Sequence, residues 1–378
     1  MFRASPITRV LSLLIVSTLF ISLLPAQAVS AQSGKHHIYL PSVSAGKPIP
    51  TGQTGVPQAP YIGIWMSASE LASLPTSGTA WNALVSAANQ SAGSPDIQNQ
   101  DSDNDVYVLA KALVYARTGD SKYRTEVVSQ LQKAIGTESG GRTLAIARNL
   151  VSYVIAADLI NLPAANSSVD QSFRSWLRKT LTETLDGKTL ASTHEERPNN
   201  WGTHAGASRA AVAWYLGDMA ELDRTALVFR GWLGDRAAYS GFSYGEMSWQ
   251  SNASQPVGVN PKGSTKNGVS IDGAQPEEMR RAGGFTNPPT PTGYAWEALQ
   301  GSVVQGIILH RAGYPVLEAS DRALLRAVEY LYRIGWEAQS DDYWQPWLVN
   351  YYYGTNLPTN SAGKGKNMGW TDWTHPDR

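Results

Sequence analysis

The chain contains no cysteine. That excludes disulfide frameworks, thiolate zinc sites, iron–sulfur clusters, cysteine nucleophiles and lipid attachment at a cysteine. Neither sign of charge is in excess, since 31 Lys and Arg stand against 31 Asp and Glu. A generally basic nucleic-acid binder is thereby excluded, while a local basic cleft is not. Phenylalanine is scarce, with 6 residues against 13 Trp and 17 Tyr. The aromatic surface is therefore carried by rings with a polar edge, which suit both a helical core and stacking on sugars. Away from the N-terminus no run is long and apolar enough to cross a bilayer. What is present is a hydrophobic fraction of 42% over 378 residues, enough to close a sizeable core and to exclude disorder as the main state.

The N-terminus reads Met1-Phe2-Arg3, then Arg9, an apolar run from Val10 to Leu24, and the small-x-small site Ala26-Gln27-Ala28. A charged start, a short apolar core and such a site predict a cleavable signal peptide over 1–28, and so a secreted, periplasmic or cell-surface protein. A second site, after Ala31, is nearly as good. Residues 29–60 form a Pro/Gly-rich linker that includes Gly46, Pro48, Pro50, Gly52, Gly55, Pro57 and Pro60. The remainder, 61–378, is read as one domain.

Within that domain the apolar spacing is helical. Val106, Leu109, Ala110, Leu113 and Val114 share a face, as do Leu144, Ala147, Leu150, Val151, Val154 and Ile155. Further helices are predicted near 168–185, 203–217, 219–233, 295–312 and 320–337. The breaks at Gly119-Asp120, Gly217-Asp218 and Gly313-Tyr314 suit a helix ended by a left-handed glycine, followed in the first two by an Asp N-cap. Recurrent helical hairpins without strand alternation predict an all-α fold, an (α/α) toroid or incomplete barrel whose loops converge on a cleft. Two segments break the pattern, 194–203 and 239–291. A long irregular insertion in a compact domain is usually functional.

Several motifs reduce to local structure. Asp101-Ser102-Asp103-Asn104-Asp105 opens like a calcium loop, but Val106 and Ala112 replace its Gly and Glu. It reads as an acidic N-cap. His194-Glu195-Glu196-Arg197-Pro198 has proline where a metalloprotease helix needs its second His, and Gly363-Lys364-Gly365 lacks the flanking elements of a nucleotide loop. No metal-ligand set emerges, and no cofactor is expected. Two constellations remain. One is His194 to His204, holding Arg197, Asn199, Asn200 and Trp201. The other is Asp272-Gly273 with Pro276-Glu277-Glu278-Met279-Arg280-Arg281, followed by Tyr294 at the head of an apolar helix. Asn pairs commonly cap turns, and a charge run is commonly a solvated loop.

Taken together these segments resemble the alginate-lyase type of polysaccharide lyase, which has an incomplete (α/α) toroid fold. Asn199-Asn200 matches its Asn-Asn motif, Asp272 to Arg281 its Asp-Gly…Pro-x-Glu-[Leu/Met]-x-Arg element, and Tyr294 its tyrosine. There are two departures. Better-known members place His directly after the second Asn, where this chain has Trp201, and the interval from Arg281 to Tyr294 is stretched by Gly283-Gly284 and Pro288-Pro289-Thr290-Pro291. The resemblance implies β-elimination on a uronic-acid polysaccharide of alginate or glucuronan type. An amide or guanidinium donor aimed at the uronate carboxylate would stabilise the enolate-like transition state. Asn200 or Asn199 is implied in that role, with Arg281 or Arg280. Tyr294 is the implied acid, and also the base if both groups leave from one face; His204 or His194 is the base otherwise. Trp201, Arg197, Trp249 and Trp296, with Trp344, are candidate sugar-contacting residues. The expected partner is an anionic polysaccharide, with no nucleic acid and no stated oligomer. Two other readings stand beside this one. A glycoside hydrolase would use paired carboxylates, Asp272 with Glu246 or Glu277 with Glu195. A non-catalytic glycan-binding protein would need the Trp residues alone.

Overall fold

The structure, a computed structural model, describes residues 62–376. The segments expected to be a signal peptide, 1–28, and a linker, 29–60, lie outside the described residues. The elements in chain order are α1 (Ala68–Ser73), α2 (Thr79–Asn89), α3 (Asn104–Thr118), α4 (Ser121–Ala134), α5 (Thr143–Leu159), α6 (Leu162–Ala165), α7 (Ser167–Thr182), α8 (Leu190–Glu196), α9 (Asn200–Leu216) and α10 (Met219–Trp232). A two-residue hairpin, β1 (Thr265–Lys266) with β2 (Val269–Ser270), follows. Then come α11 (Pro276–Met279), α12 (Tyr294–Arg311), α13 (Ala319–Arg333), α14 (Trp344–Tyr353) and α15 (Thr371–Thr374). The fold is all-α, as the spacing predicts.

The helices fall into two kinds, and the sequence explains which is which. Every residue of α5 is buried, and α9 and α12 are buried nearly all round, as expected of helices apolar on all faces. By contrast α4, α7, α10 and α13 bury one face each and expose charge on the other. The predicted junctions form as read. Gly119 and Gly217 adopt left-handed conformations at φ 74 and 72. The Asp120 side chain then accepts from the Lys122 amide, and that of Asp218 from the Glu221 amide. The inner helices pack in succession, α2 on α3, α3 on α5, α5 on α9, α9 on α12 and α12 on α14. The succession returns through α15 to α2, where Trp373 packs against Trp81. Among the described residues no helix is long and apolar enough to cross a membrane.

One local expectation is corrected. Asp103 stands at the N-cap of α3, but its side chain does not cap the helix. It pairs with Lys364 instead, and the hydroxyl of Ser102 accepts from the Asn104 amide at 3.3 Å. A distant cation competes better for that carboxylate than the backbone beside it.

Apart from the β1–β2 hairpin and α11 the segment 239–291 is irregular, and it is pinned rather than loose. Arg326 on α13, mostly buried, donates to the Asn260 carbonyl at 2.9 Å and to the Asp272 carboxylate at 2.6 Å. Asp272 also accepts from the Gly263 amide at 2.8 Å. Burial works to raise the pKa of Asp272, yet these hydrogen bonds and the Arg326 charge together hold it below the usual carboxylate range. Gly273 is left-handed at φ +81, and a Cβ there would meet the Arg326 carbonyl oxygen at 2.1 Å. The Asp-Gly pair is thus a strap that fastens the long segment onto α13.

α9 and α12 cross closely. A Cβ at Gly301 would stand 2.3 Å from the His204 backbone nitrogen, and one at Gly206 would stand 2.2 Å from the Gln305 side-chain oxygen. Backbone cannot yield as a side chain can, so Gly301→Ala should force the two helices apart. The expected cost is about 1–3 kcal/mol, read by urea unfolding. A variant as stable as the parent would show that the crossing is not tight.

Candidate active site

The crossing of α9 and α12 brings their N-termini side by side. Asn200 opens α9 and Tyr294 opens α12. Between them lies a cavity of about 310 Å³ lined by Asn200, Trp201, Arg281, Tyr294 and Glu297, and on the α5 side by Gln100, Arg142, Leu144 and Arg148. Three arginines face one carboxylate there. Two helix N-termini add partial positive charge, so the cavity favours an anion although the chain as a whole is neutral.

The two asparagines divide their labour. Asn199 is the N-cap of α9, its side-chain oxygen accepting from the Trp201 amide at 3.2 Å. Asn200 is buried and faces the cavity, donating from Nδ2 to Glu297 Oε2 at 2.7 Å. Arg148 Nη2 reaches the same oxygen at 2.9 Å. The Arg281 guanidinium lies 3.9 Å from the centre of the Tyr294 ring. Tyr294 is 37% exposed, and its hydroxyl makes no hydrogen bond among the described residues. Trp201 is covered by Arg197 at 4.4 Å and Arg142 at 5.4 Å; Trp201 lines the cavity, whereas Arg197 lines a separate, small pocket.

Other expected site residues stand elsewhere. Arg280 is ion-paired with Glu277 and does not line the cavity, whereas Arg281 does. His204 lies one turn below Asn200 with no exposed surface. Burial, then the nearby Arg148 and Lys366 charges, hold its imidazole neutral. His194 is buried too, held by Arg209 at 3.3 Å and Gln305 at 3.0 Å. Neither imidazole lines the cavity. Trp249 packs edge-on against Phe285, Trp296 donates to the Trp336 carbonyl at 3.0 Å, and Trp344 is buried. These three are core, because each sits on the inward side of its segment. The carboxylates suggested for a hydrolase are likewise committed. Asp272 pairs with Arg326, Glu195 with Arg209 and Arg224, Glu277 with Arg280, and Glu246 bonds Ser248.

Glu278, in α11, supplies what the second motif contributes to the first. Its side chain is 1% exposed, and it accepts from the Asn200 backbone amide at the head of α9. Arg281, three residues on, stands 3.8 Å from its other oxygen. The carboxyl therefore ties the long segment to α9 and sets Arg281 beside Tyr294. Burial pushes it up to about 8, against the hydrogen bond from Asn200 and the charge of Arg281.

Sequence reasoning missed Arg142, Arg148, Gln100 and Glu297. Two signals were available. Arg148 is the one cation within the apolar run of α5, and Glu297 lies three residues after Tyr294, on the same helical face.

On this all-helical scaffold an amide, a guanidinium and a phenol converge on one cavity suited to an anionic ligand. A family model described as alginate lyase matches residues 93–255, the segment that carries Arg142, Arg148, Asn200 and Trp201. The chain is alginate-lyase-like, and the match indicates a polysaccharide lyase. Arg281 and Tyr294 lie beyond the matched residues. No curated protein matches the chain.

The buried carboxyl gives a pH prediction. Because burial pushes Glu278 up to about 8 in the folded protein, well above an ordinary glutamate, its ionisation opposes folding, and stability falls as pH rises across that window. Glu278→Gln keeps an acceptor for the Asn200 amide and removes the ionisation. The variant should gain on the parent by about 1 kcal/mol or more between pH 5 and pH 8.5, measured by urea unfolding at both. A difference that does not change with pH would contradict the burial argument.

Proposed function

We propose that the protein is a secreted lyase that cleaves a uronic-acid polysaccharide by β-elimination. The carrying observation is that Asn200, Arg281 and Tyr294, drawn from separate stretches of chain, line one cavity with Arg142 and Arg148. The uronate carboxylate is received by the Asn200 amide and the Arg281 guanidinium. Their hydrogen bonds strengthen as charge moves onto that carboxylate, which makes the C5 proton removable. The C5–H electrons form the C4–C5 double bond as the bond from C4 to the leaving oxygen breaks, and that oxygen takes a proton from Tyr294. Since neither His204 nor His194 lines the cavity, Tyr294 serves as base and acid in turn. A single group acting on both atoms requires that they leave from the same face. Mannuronate and glucuronate meet that condition; guluronate, inverted at C5, does not. Blocks of mannuronate within alginate, or a glucuronan, are therefore the substrate class.

The hydrolase reading is less well supported, because it needs two carboxylates flanking the bond and Glu297 is the one carboxylate on the cavity wall. The test is to incubate the protein with polymannuronate, polyguluronate and glucuronan and follow ultraviolet absorbance of the unsaturated product. Absorbance should rise with polymannuronate or glucuronan and stay flat with polyguluronate. Tyr294→Phe should lower kcat by about 10²–10⁴-fold with the fold intact. New reducing ends without absorbance would move the assignment to a hydrolase, and binding without either product to a glycan-binding protein. Export is proposed from the charged start, apolar core and Ala26-Gln27-Ala28 site. Protein recovered from outside the producing cell should begin at Val29 or Gln32 by mass, and an intact Met1 would refute it.

A further inference from the structure

The cavity of a polyuronate-cleaving site should repel carboxylates from its own wall, yet Glu297 stands on it. Its partners explain why. Glu297 Oε2 accepts from Asn200 Nδ2 at 2.7 Å and from Arg148 Nη2 at 2.9 Å. The Asn200 carboxamide is thus held at both ends, since its Oδ1 accepts from the Trp201 amide at 3.0 Å. An asparagine side chain has two N–H donors and one carbonyl acceptor. With the oxygen engaged and one N–H on Glu297, the second N–H is the donor left for a ligand. A flipped amide would bring its oxygen against the carboxylate of Glu297, which can only accept.

We propose that Glu297 is a positioning residue that locks the Asn200 amide so that a donor, never the carbonyl oxygen, meets the substrate carboxylate. Arg148 neutralises Glu297 so that it holds the amide without repelling the substrate. The inference rests on the lyase reading, in which Asn200 neutralises the uronate, and it adds the device that fixes the polarity of that amide. Glu297 touches no reacting atom in this account. Arg148 of α5 and Asn200 of α9 thus converge on one oxygen of the Glu297 carboxylate of α12.

Two variants and two readouts separate this from its alternatives. Glu297→Gln keeps a carbonyl oxygen that can accept from Asn200; Glu297→Leu keeps the volume and removes the acceptor. On the active polyuronate, the Leu variant should lose about a hundred-fold in kcat with a smaller change in KM, and the Gln variant should recover most of that loss. Equal, severe loss in both folded variants would overturn the proposal, because it would mean that the negative charge itself is used, as a base would use it. Parent-like turnover in the Leu variant would overturn it as well. The second readout does not depend on turnover. In protein labelled with 15N-asparagine, the Asn200 side-chain amide is identified by its disappearance in Asn200→Asp. One of its protons should be shifted downfield and slow to exchange in the parent and the Gln variant, and not in the Leu variant. If no polyuronate is cleaved, the lyase reading fails while this signal still decides whether Glu297 locks the amide; a parent spectrum identical to that of the Leu variant would overturn the lock.

Discussion

The site depends on how closely α9 and α12 cross. Gly301 lies against the backbone of Thr203 and His204, and Gly206 against Gln305, so the two helices approach at main-chain distance. That approach sets Asn200 and Tyr294, each the first residue of its helix, on the same cavity. It also allows Glu297, one turn into α12, to reach the Asn200 amide directly. A wider crossing would leave room for a water between them and cost the amide its fixed direction. The packing constraint and the chemical one are therefore the same constraint.

Charge is organised in layers around this crossing. Behind the cavity, burial keeps His204 and His194 neutral, and they act as polar fill within the inner helices. At the head of α9, the Glu278 carboxyl takes the Asn200 backbone amide that the helix leaves unpaired. On the cavity wall, Arg142, Arg148 and Arg281 supply positive charge that the overall composition conceals. Arg148 is spent partly on Glu297, while Arg281 lies over the Tyr294 ring. A neutral chain can in this way present a strongly cationic pocket, and an anionic polymer held there should be sensitive to salt.

The long segment from 239 to 291 shows how function and support share one stretch of sequence. Its Asp272-Gly273 pair fastens it to α13 through Arg326, and its α11 carboxylates take amides of α9 and of Gly245. Arg281 follows directly from that anchoring. The segment holds little regular structure, and side-chain bonds to α13 and α9, with one inside the segment at Gly245, do much of the fastening.

Much of this was legible in the sequence because it is encoded locally. The 3.6-residue spacing, the left-handed glycines at 119 and 217 and the Asp caps that follow them specify helices and junctions within a few residues. Asn199-Asn200 and Tyr294 were marked by their positions at helix heads, and they and the Arg280-Arg281 pair by the motif they resemble. What the sequence left open were choices between neighbours, namely Asn199 or Asn200, Arg280 or Arg281, a histidine or the tyrosine. Helical phase and burial separate them: Asn199 caps while Asn200 faces the cavity, Arg280 turns to Glu277 while Arg281 turns to Tyr294, and both imidazoles point into the core. Arg148 and Glu297 carried faint local signals, but their pairing is a contact across 149 residues, and no local spacing records which partner such a residue meets. The sequence by itself determined the helices, their caps and the chemical kinds of group available. Only the tertiary structure decided which of those groups share a cavity, since a close crossing of two helices is a property of packing and not of either helix alone.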